Sequence, residues 1–237
     1  MKKIIVICFI CLTCSKTFSQ QHYPKDTVVT VDTDDKNLVY YEIKSETGER
    51  YQAGYMFNGK KSGVWKSYND LGMILGLDEY RNGVLNGVRI VFEASSNIEF
   101  AENYRNGKLQ GPRYKYNYGT VKLLVENYNN GLLEGLRKVY YDSGTIQEEG
   151  TYQKGLRDGT TKWFTQAEVV VIEYTYKMGI IDGPAKIYFQ TGRLQSEGMY
   201  KDDNEQGEWK VYNEDGTLVK TVIYDKGVKV KEKSMKK

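Results

Sequence analysis

The chain has 237 residues, 40% hydrophobic and 27% charged, with 24 glycines, 21 tyrosines, three cysteines and one histidine. All three cysteines precede residue 15, which leaves the rest of the chain without the usual Cys/His zinc centres or Cys–His nucleophiles. A formal charge of +3 is too small to mark a nucleic-acid surface.

From the N-terminus, Met1-Lys2-Lys3 is followed by the apolar run Ile4 to Cys14 and by Thr17-Phe18-Ser19 before Gln20. That order predicts a signal peptide over 1–19. The run is shorter than the ~20 residues of a membrane-spanning helix. Lipidation of Cys14, giving an outer-membrane lipoprotein, is the alternative, although Cys11-Leu12-Thr13 fits that signal poorly. The expected mature chain is therefore exported (periplasmic, envelope-bound or secreted) and free of Cys8, Cys11 and Cys14. Loss of Lys2, Lys3 and Lys16 leaves 31 basic residues against 31 acidic ones. His22, just past the cut, reads as part of a loose terminus rather than as a ligand.

Residues 20–46 are polar, contain Asp32, Asp34 and Asp35, and read as a flexible entry followed by a cap strand at Leu38–Tyr41. From 47 to 227 the sequence repeats every 24 residues. Met56 and then Tyr80, Tyr104, Tyr128, Tyr152, Tyr176, Tyr200 and Tyr224 anchor the periods. Seven residues past each anchor from Met56 to Tyr200 stands a glycine: Gly63, Gly87, Gly111, Gly135, Gly159, Gly183 and Gly207. Three past it stands another, from Gly59 to Gly227, with Asp203 the exception, and twelve past it an aromatic, from Tyr68 to Tyr212. A fixed period of this length means a repeat array.

Within a period, two runs rich in β-branched and aromatic residues flank an Asn/Asp/Gly cluster, the pattern of a β-hairpin. The NGxxxG pair is expected to form the second turn, between hairpins. Parity places offsets 12, 18 and 24 on one sheet face, with Trp65, Arg89, Arg113, Arg137 and Trp209 at offset 9 on the other. A lone hairpin is marginal in water, so neighbours must stabilise each other. The expected fold is all-β: tandem 24-residue hairpins in an elongated, curved, single-layer antiparallel sheet. Residues 228–237 form a lysine-rich tail; the segment 226–237 holds six lysines and one glutamate.

The pattern NGxxxGxxxxYxxxGxLxxxGxY over residues 47–227 resembles the MORN repeat, and more narrowly the bacterial MORN-repeat variant family, often labelled the antitoxin component of a toxin–antitoxin system. That resemblance implies tandem hairpins with roles in protein or lipid contact, and it offers no catalytic residue. An exported chain would not meet a cytoplasmic toxin.

Gly59-Lys60-Lys61-Ser62-Gly63 lacks P-loop spacing and recurs with other contents as Gly131 to Gly135, so it reads as a turn. Asp78, Glu102 and Glu126 stand two before an anchor tyrosine, and Glu149, Glu173 and Glu197 three before. Such acids could pair across a groove to hydrolyse a glycoside; a solvated acid repeated by duplication is the plainer account. Two aromatic groups are candidate partner patches. One is Trp163, Phe164, Val170 and Ile172, beside a turn that has lost its glycine; the other is Tyr114, Tyr116 and Tyr118. A better-packed hairpin is the competing explanation for each. The expectation is a non-enzymatic protein-binding scaffold with no cofactor, metal or nucleic acid. A carbohydrate-binding or glycan-processing surface is the alternative, and lipid-headgroup contact through the basic tail is a third reading.

Overall fold

The computed structural model describes residues 4–5, 27–31, 34–45, 47–118 and 120–235. Apart from Ile4–Ile5, the signal-peptide and lipidation readings, with Cys8, Cys11, Cys14 and His22, lie outside these residues. Every regular element among the described residues is a β-strand.

The chain forms two compact units, one of residues 1–109 with 118–120 and the other of 110–117 with 121–237. The first holds β1 (Ile4–Ile5), β2 (Thr27–Val31), β3 (Leu38–Lys44), β4 (Arg50–Phe57), β5 (Lys60–Tyr68), β6 (Ile74–Arg81), β7 (Val84–Phe92), β8 (Ile98–Arg105) and β9 (Lys108–Leu109). The second holds β10 (Gly111–Asn117), β11 (Val121–Asn129), β12 (Leu132–Leu133), β13 (Gly135–Tyr140), β14 (Ile146–Gln153), β15 (Leu156–Phe164) and β16 (Val170–Lys177). It continues through β17 (Ile180–Tyr188), β18 (Leu194–Lys201), β19 (Asn204–Tyr212), β20 (Leu218–Asp225) and β21 (Val228–Ser234). Within each unit, strands next in sequence pair antiparallel, except that β12 and β13 both pair with β11, giving an open meander of hairpins.

Two turns alternate. The tight one is a two-residue loop such as Asn58-Gly59, with φ of 49° and 70°. Both residues are left-handed, as a type I′ turn requires, and its twist matches that of the strands. Asp202-Asp203 adopts the same form without glycine (φ 51° and 62°). The wider turn is closed by two backbone bonds, for example Asn69 N to Met73 O and Gly72 N to Asn69 O, each 2.9 Å. Its left-handed position is Gly72, Gly144, Gly192 or Gly216 in most copies, but Ser96 (φ 67°) and Glu168 (φ 59°) in two.

The glycine at offset 7 is not part of the turn, contrary to the sequence reading. Gly63 lies inside β5 at a β-bulge: Tyr55 pairs with Ser62 and Ala53 with Lys66, so Gly54 alone faces residues 63–65. The extra residues need a left-handed step, and Gly63 supplies it at φ 67°. A second bulge at offsets 18–20 follows the wide turn, as where Tyr68 pairs with Ile74 and Ser67 with Gly76.

These bulges overturn the parity assignment. Offsets 12 and 18 do share a face, as Arg50 lying over Tyr68 at 5.2 Å shows. The anchor tyrosines lie on the opposite face, together with offset 9: Tyr200 stands 5.4 Å from Trp209, ring edge to ring face. A strict alternation of two is broken wherever one strand carries an extra residue.

Repeats are tied together along the tight turns. The offset-6 side chain accepts a bond from the turn amide of the next repeat, as Asn86 does from Asn106 N (3.1 Å) and Gln206 from Lys226 N (2.9 Å). The following amide donates to the offset-5 carbonyl, as Gly107 N does to Leu85 O at 2.8 Å.

The ends differ from the sequence reading. Thr27–Val31, inside the stretch read as flexible, is a strand paired with β3, consistent with its β-branched TVVTV sequence. The lysine tail begins as a strand too: Val228–Ser234 pairs along β20 while every residue in it stays exposed.

Candidate binding face

In each unit the core is a row of side chains crossing the strands on the tyrosine face. It is built from the residue two before each anchor and the residue nine after it, which the bulge brings opposite each other. In the first unit the row reads Gly54, Trp65, Asp78, Arg89, Glu102. In the second it runs from Arg113 and Glu126 through Arg137, Gly150, Thr161, Tyr174 and Ala185 to Gly198, Trp209 and Val222. Except for Ala53 and Tyr68, the buried apolar and charged or hydroxyl side chains all belong to this row. Bulk and charge alternate along it: glycine faces tryptophan, tyrosine faces alanine, acid faces arginine.

In the second unit the row and its flanks form a continuous band. Arg113 Nη1 and Arg137 Nε donate to the two oxygens of Glu126 at 2.9 and 3.0 Å. Arg137 Nη1 and Arg157 Nη2 share Glu148 Oε1 at 3.0 and 2.8 Å, and Trp163 Nε1 donates to Glu148 Oε2 at 3.1 Å. Burial alone would raise the Glu126 carboxyl, but bonds from Arg113, Arg137 and Tyr128 outweigh it and hold the group below its usual range.

The Arg157 guanidinium lies over three rings, 5.7 Å from Tyr152, 5.8 Å from Trp163 and 5.6 Å from Tyr176. From there rings continue edge to face: Trp163–Tyr174 at 5.8 Å, Tyr174–Tyr200 at 5.5 Å, Tyr200–Trp209 at 5.4 Å and Trp209–Tyr224 at 6.4 Å. Burial, assisted by Tyr174, Glu205 and Tyr224, pushes the Tyr200 hydroxyl up to about 12.

The residues singled out in the sequence divide between the faces. Trp163 and Ile172 pair across β15 and β16, and with Phe164, Tyr141, Tyr174 and Tyr176 they border a shallow open depression. Phe164 pairs with Val170 in the offset-12 and offset-18 rows of the other face. Of the four, Trp163, Phe164 and Ile172 line the depression and Val170 does not. Tyr114 and Tyr116 are neighbours on that other face, 6.3 Å apart, with Lys122 over the Tyr114 ring at 5.5 Å. Tyr118 belongs to the other unit, in a turn at φ 48°, and is 72% exposed.

The anchor tyrosines lie along the band. Three of the offset-7 glycines leave room for the residue before the anchor: a Cβ on Gly87 would meet Glu79 at 2.0 Å, on Gly159 would meet Thr151 at 2.5 Å and on Gly183 would meet Thr175 at 2.9 Å, whereas Gly63, Gly111, Gly135 and Gly207 face open space. Glu149, Glu173 and Glu197 face away from the band, where Lys138 and Lys162 pair with the first two and Tyr212 donates to the third. Within the second unit, Glu126 and the row of Glu149, Glu173 and Glu197 thus lie on opposite faces and flank no common groove. Sequence reasoning missed Glu148 and Arg157, whose offsets 20 and 5 meet only through the tight-turn hairpin. The signal available was the complementary pairing of Gly54 with Trp65, Glu126 with Arg137, Tyr174 with Ala185 and Gly198 with Trp209.

The MORN repeat variant family matches residues 133–154, 181–202 and 205–226, each match starting five residues past an anchor tyrosine. No curated protein matches the chain. Among solved structures, a mutant Tc holotoxin pore of Photorhabdus luminescens is similar at 12% identity and a TM-score of 0.25, over 85% of this chain and 13% of that one. Repeats of the MORN kind serve in protein or membrane binding. Three stretches between 133 and 226 are therefore similar to the MORN repeat variant.

Proposed function

We propose that this is a non-enzymatic, exported repeat protein that binds a protein partner through the tyrosine face of its second unit. The observation behind the reading is the unbroken band from Arg113 to Tyr224, in which arginines, tyrosines and tryptophans are already held by ion pairs and ring contacts. Tyr, Trp and Arg dominate binding hot spots because they offer large contact area with little freedom left to lose. Export rests on the reading of residues 1–19, and it directs the search for the partner to the cell envelope.

The test is crosslinked recovery of partners from the native envelope with three forms of the mature chain. Arg157→Ala/Tyr200→Ala alters the band, and Lys162→Ala/Tyr188→Ala alters the other face. The band variant is expected to lose a partner that the wild type and the other-face variant both retain, by ~30-fold or more for a hot-spot pair. Equal recovery by all three would refute the assignment. Saturable polysaccharide binding abolished by the band variant would move the function to carbohydrate. Vesicle pelleting lost on removal of 226–237 would move it to lipid.

A further inference from the structure

The position five residues past an anchor lies between two successive anchors on the tyrosine face, and two repeats fill it with a cation of their own. Lys61 stands 4.2 Å from the centre of the Trp65 ring and 5.0 Å from that of Tyr80. Arg157 stands among Tyr152, Trp163 and Tyr176 at nearly equal distances. Such placements are attractive because the face of an aromatic ring is electron-rich.

In the repeat anchored by Tyr200 the rings remain but the charge is reversed. Glu205 takes the position and pairs directly with Tyr200 across the strands. Tyr200 and Tyr224 flank Trp209 edge to face at 5.4 and 6.4 Å. Tyr224 pairs with Gly207, two residues beyond Glu205. Trp209 is 4% exposed and forms the floor, while Tyr200, Tyr224 and Glu205 are half-buried and reachable. No lysine or arginine among the described residues forms an ion pair with Glu205. Burial is the one influence on its carboxyl, which it raises above the ordinary range. A half-buried carboxylate without a partner is costly unless something compensates it.

We infer that Tyr200, Glu205, Trp209 and Tyr224 form a seat for a lysine or arginine side chain supplied by the protein partner. The occupant is identified by the molecule itself: it fills the equivalent seats with one lysine and one arginine, and it presents an acid where its own cation is missing. The inference rests on the protein-binding reading and names the chemistry by which the band would recognise its partner.

The test uses small probes, so it is independent of partner capture. Acetyl-arginine methylamide and acetyl-lysine methylamide are titrated against the mature chain, with acetyl-glutamine methylamide as the neutral control. The signal followed is the Trp209 indole N–H, which donates to Met199 O at 3.2 Å and is identified by its loss in Trp209→Phe. Saturable shifts with both cations are expected, weakened at least fivefold in Glu205→Gln. Glu205→Lys supplies an internal cation like Lys61 and should abolish binding while the far-UV spectrum and melting temperature stay at or above wild type. Equal shifts from the glutamine probe, no shift from either cation, or unaltered binding in Glu205→Lys would each overturn the seat. If the seat fails while the band variant still loses its partner, the protein-binding reading stands without it.

Discussion

Gly198 offers the sharpest test of how the core is built. Its backbone is ordinary, with no positive φ, so any L-residue could adopt it. What it lacks is space. A Cβ at this position would fall 2.3, 2.4 and 2.5 Å from three carbons of the Trp209 ring, against the 3.4–4 Å of normal contact. Relieving that overlap means moving the ring by about 1 Å or displacing the strand. Trp209 is 4% exposed, and its indole N–H is committed to Met199 O at 3.2 Å, so it has little room to yield. Overpacking of this kind costs ~1–3 kcal/mol, and loss of the indole bond adds ~1 kcal/mol. Gly198→Ala should therefore lose ~3 kcal/mol, or ~6–12 °C in melting temperature for a chain of this size. Trp209→Ala alone should lose ~3–5 kcal/mol by leaving a cavity. In the double variant the new methyl occupies vacated space, as Ala185 opposite Tyr174 shows that one large and one small partner suffice. The double variant should thus be ~1–3 kcal/mol more stable than the sum of the two losses predicts. Urea unfolding followed by far-UV circular dichroism gives all three values. A Gly198→Ala loss under 0.5 kcal/mol, or strict additivity, would refute the steric account of the row.

Other predictions follow from the same geometry. Glu168 holds a left-handed turn position that glycine fills elsewhere, so Glu168→Gly should stabilise the chain by ~1 kcal/mol in the same urea assay. Glu126 has a depressed folded-state pKa, so its contribution is present above the unfolded value near 4.5 and is lost as pH falls through the folded value. Glu126→Gln should cost ~2 kcal/mol at pH 7 and flatten that part of the acid limb, measured by urea midpoints between pH 2 and 6. Tyr200 titrates at about 12 in the folded chain against 10 unfolded, so stability is full below pH 10 and falls as pH rises toward 12. Tyr200→Phe should remove the latest-ionising phenol from an ultraviolet titration and lessen the alkaline loss of stability.

The repeat made most of the architecture legible. A 24-residue period with Asn-Gly turns and β-branched runs leaves little choice but stacked hairpins, because these preferences are local and act within a few residues. The turn at Asn58-Gly59 and the wide turn at Asn69 to Met73 fall where the sequence put them, and so does the strand character of β5 and β19.

What the sequence could not determine was which side chains share a face. Each repeat holds two bulges, and each bulge shifts the strand register, so parity counted along the chain fails after the first. Only the folded register brings Gly198 under Trp209, sets Glu148 between Arg137 and Arg157, and pairs Trp163 with Ile172. Local propensity fixes strands and turns. The facing of residues two before and nine after an anchor depends on pairing between strands, and so emerges only in the tertiary structure.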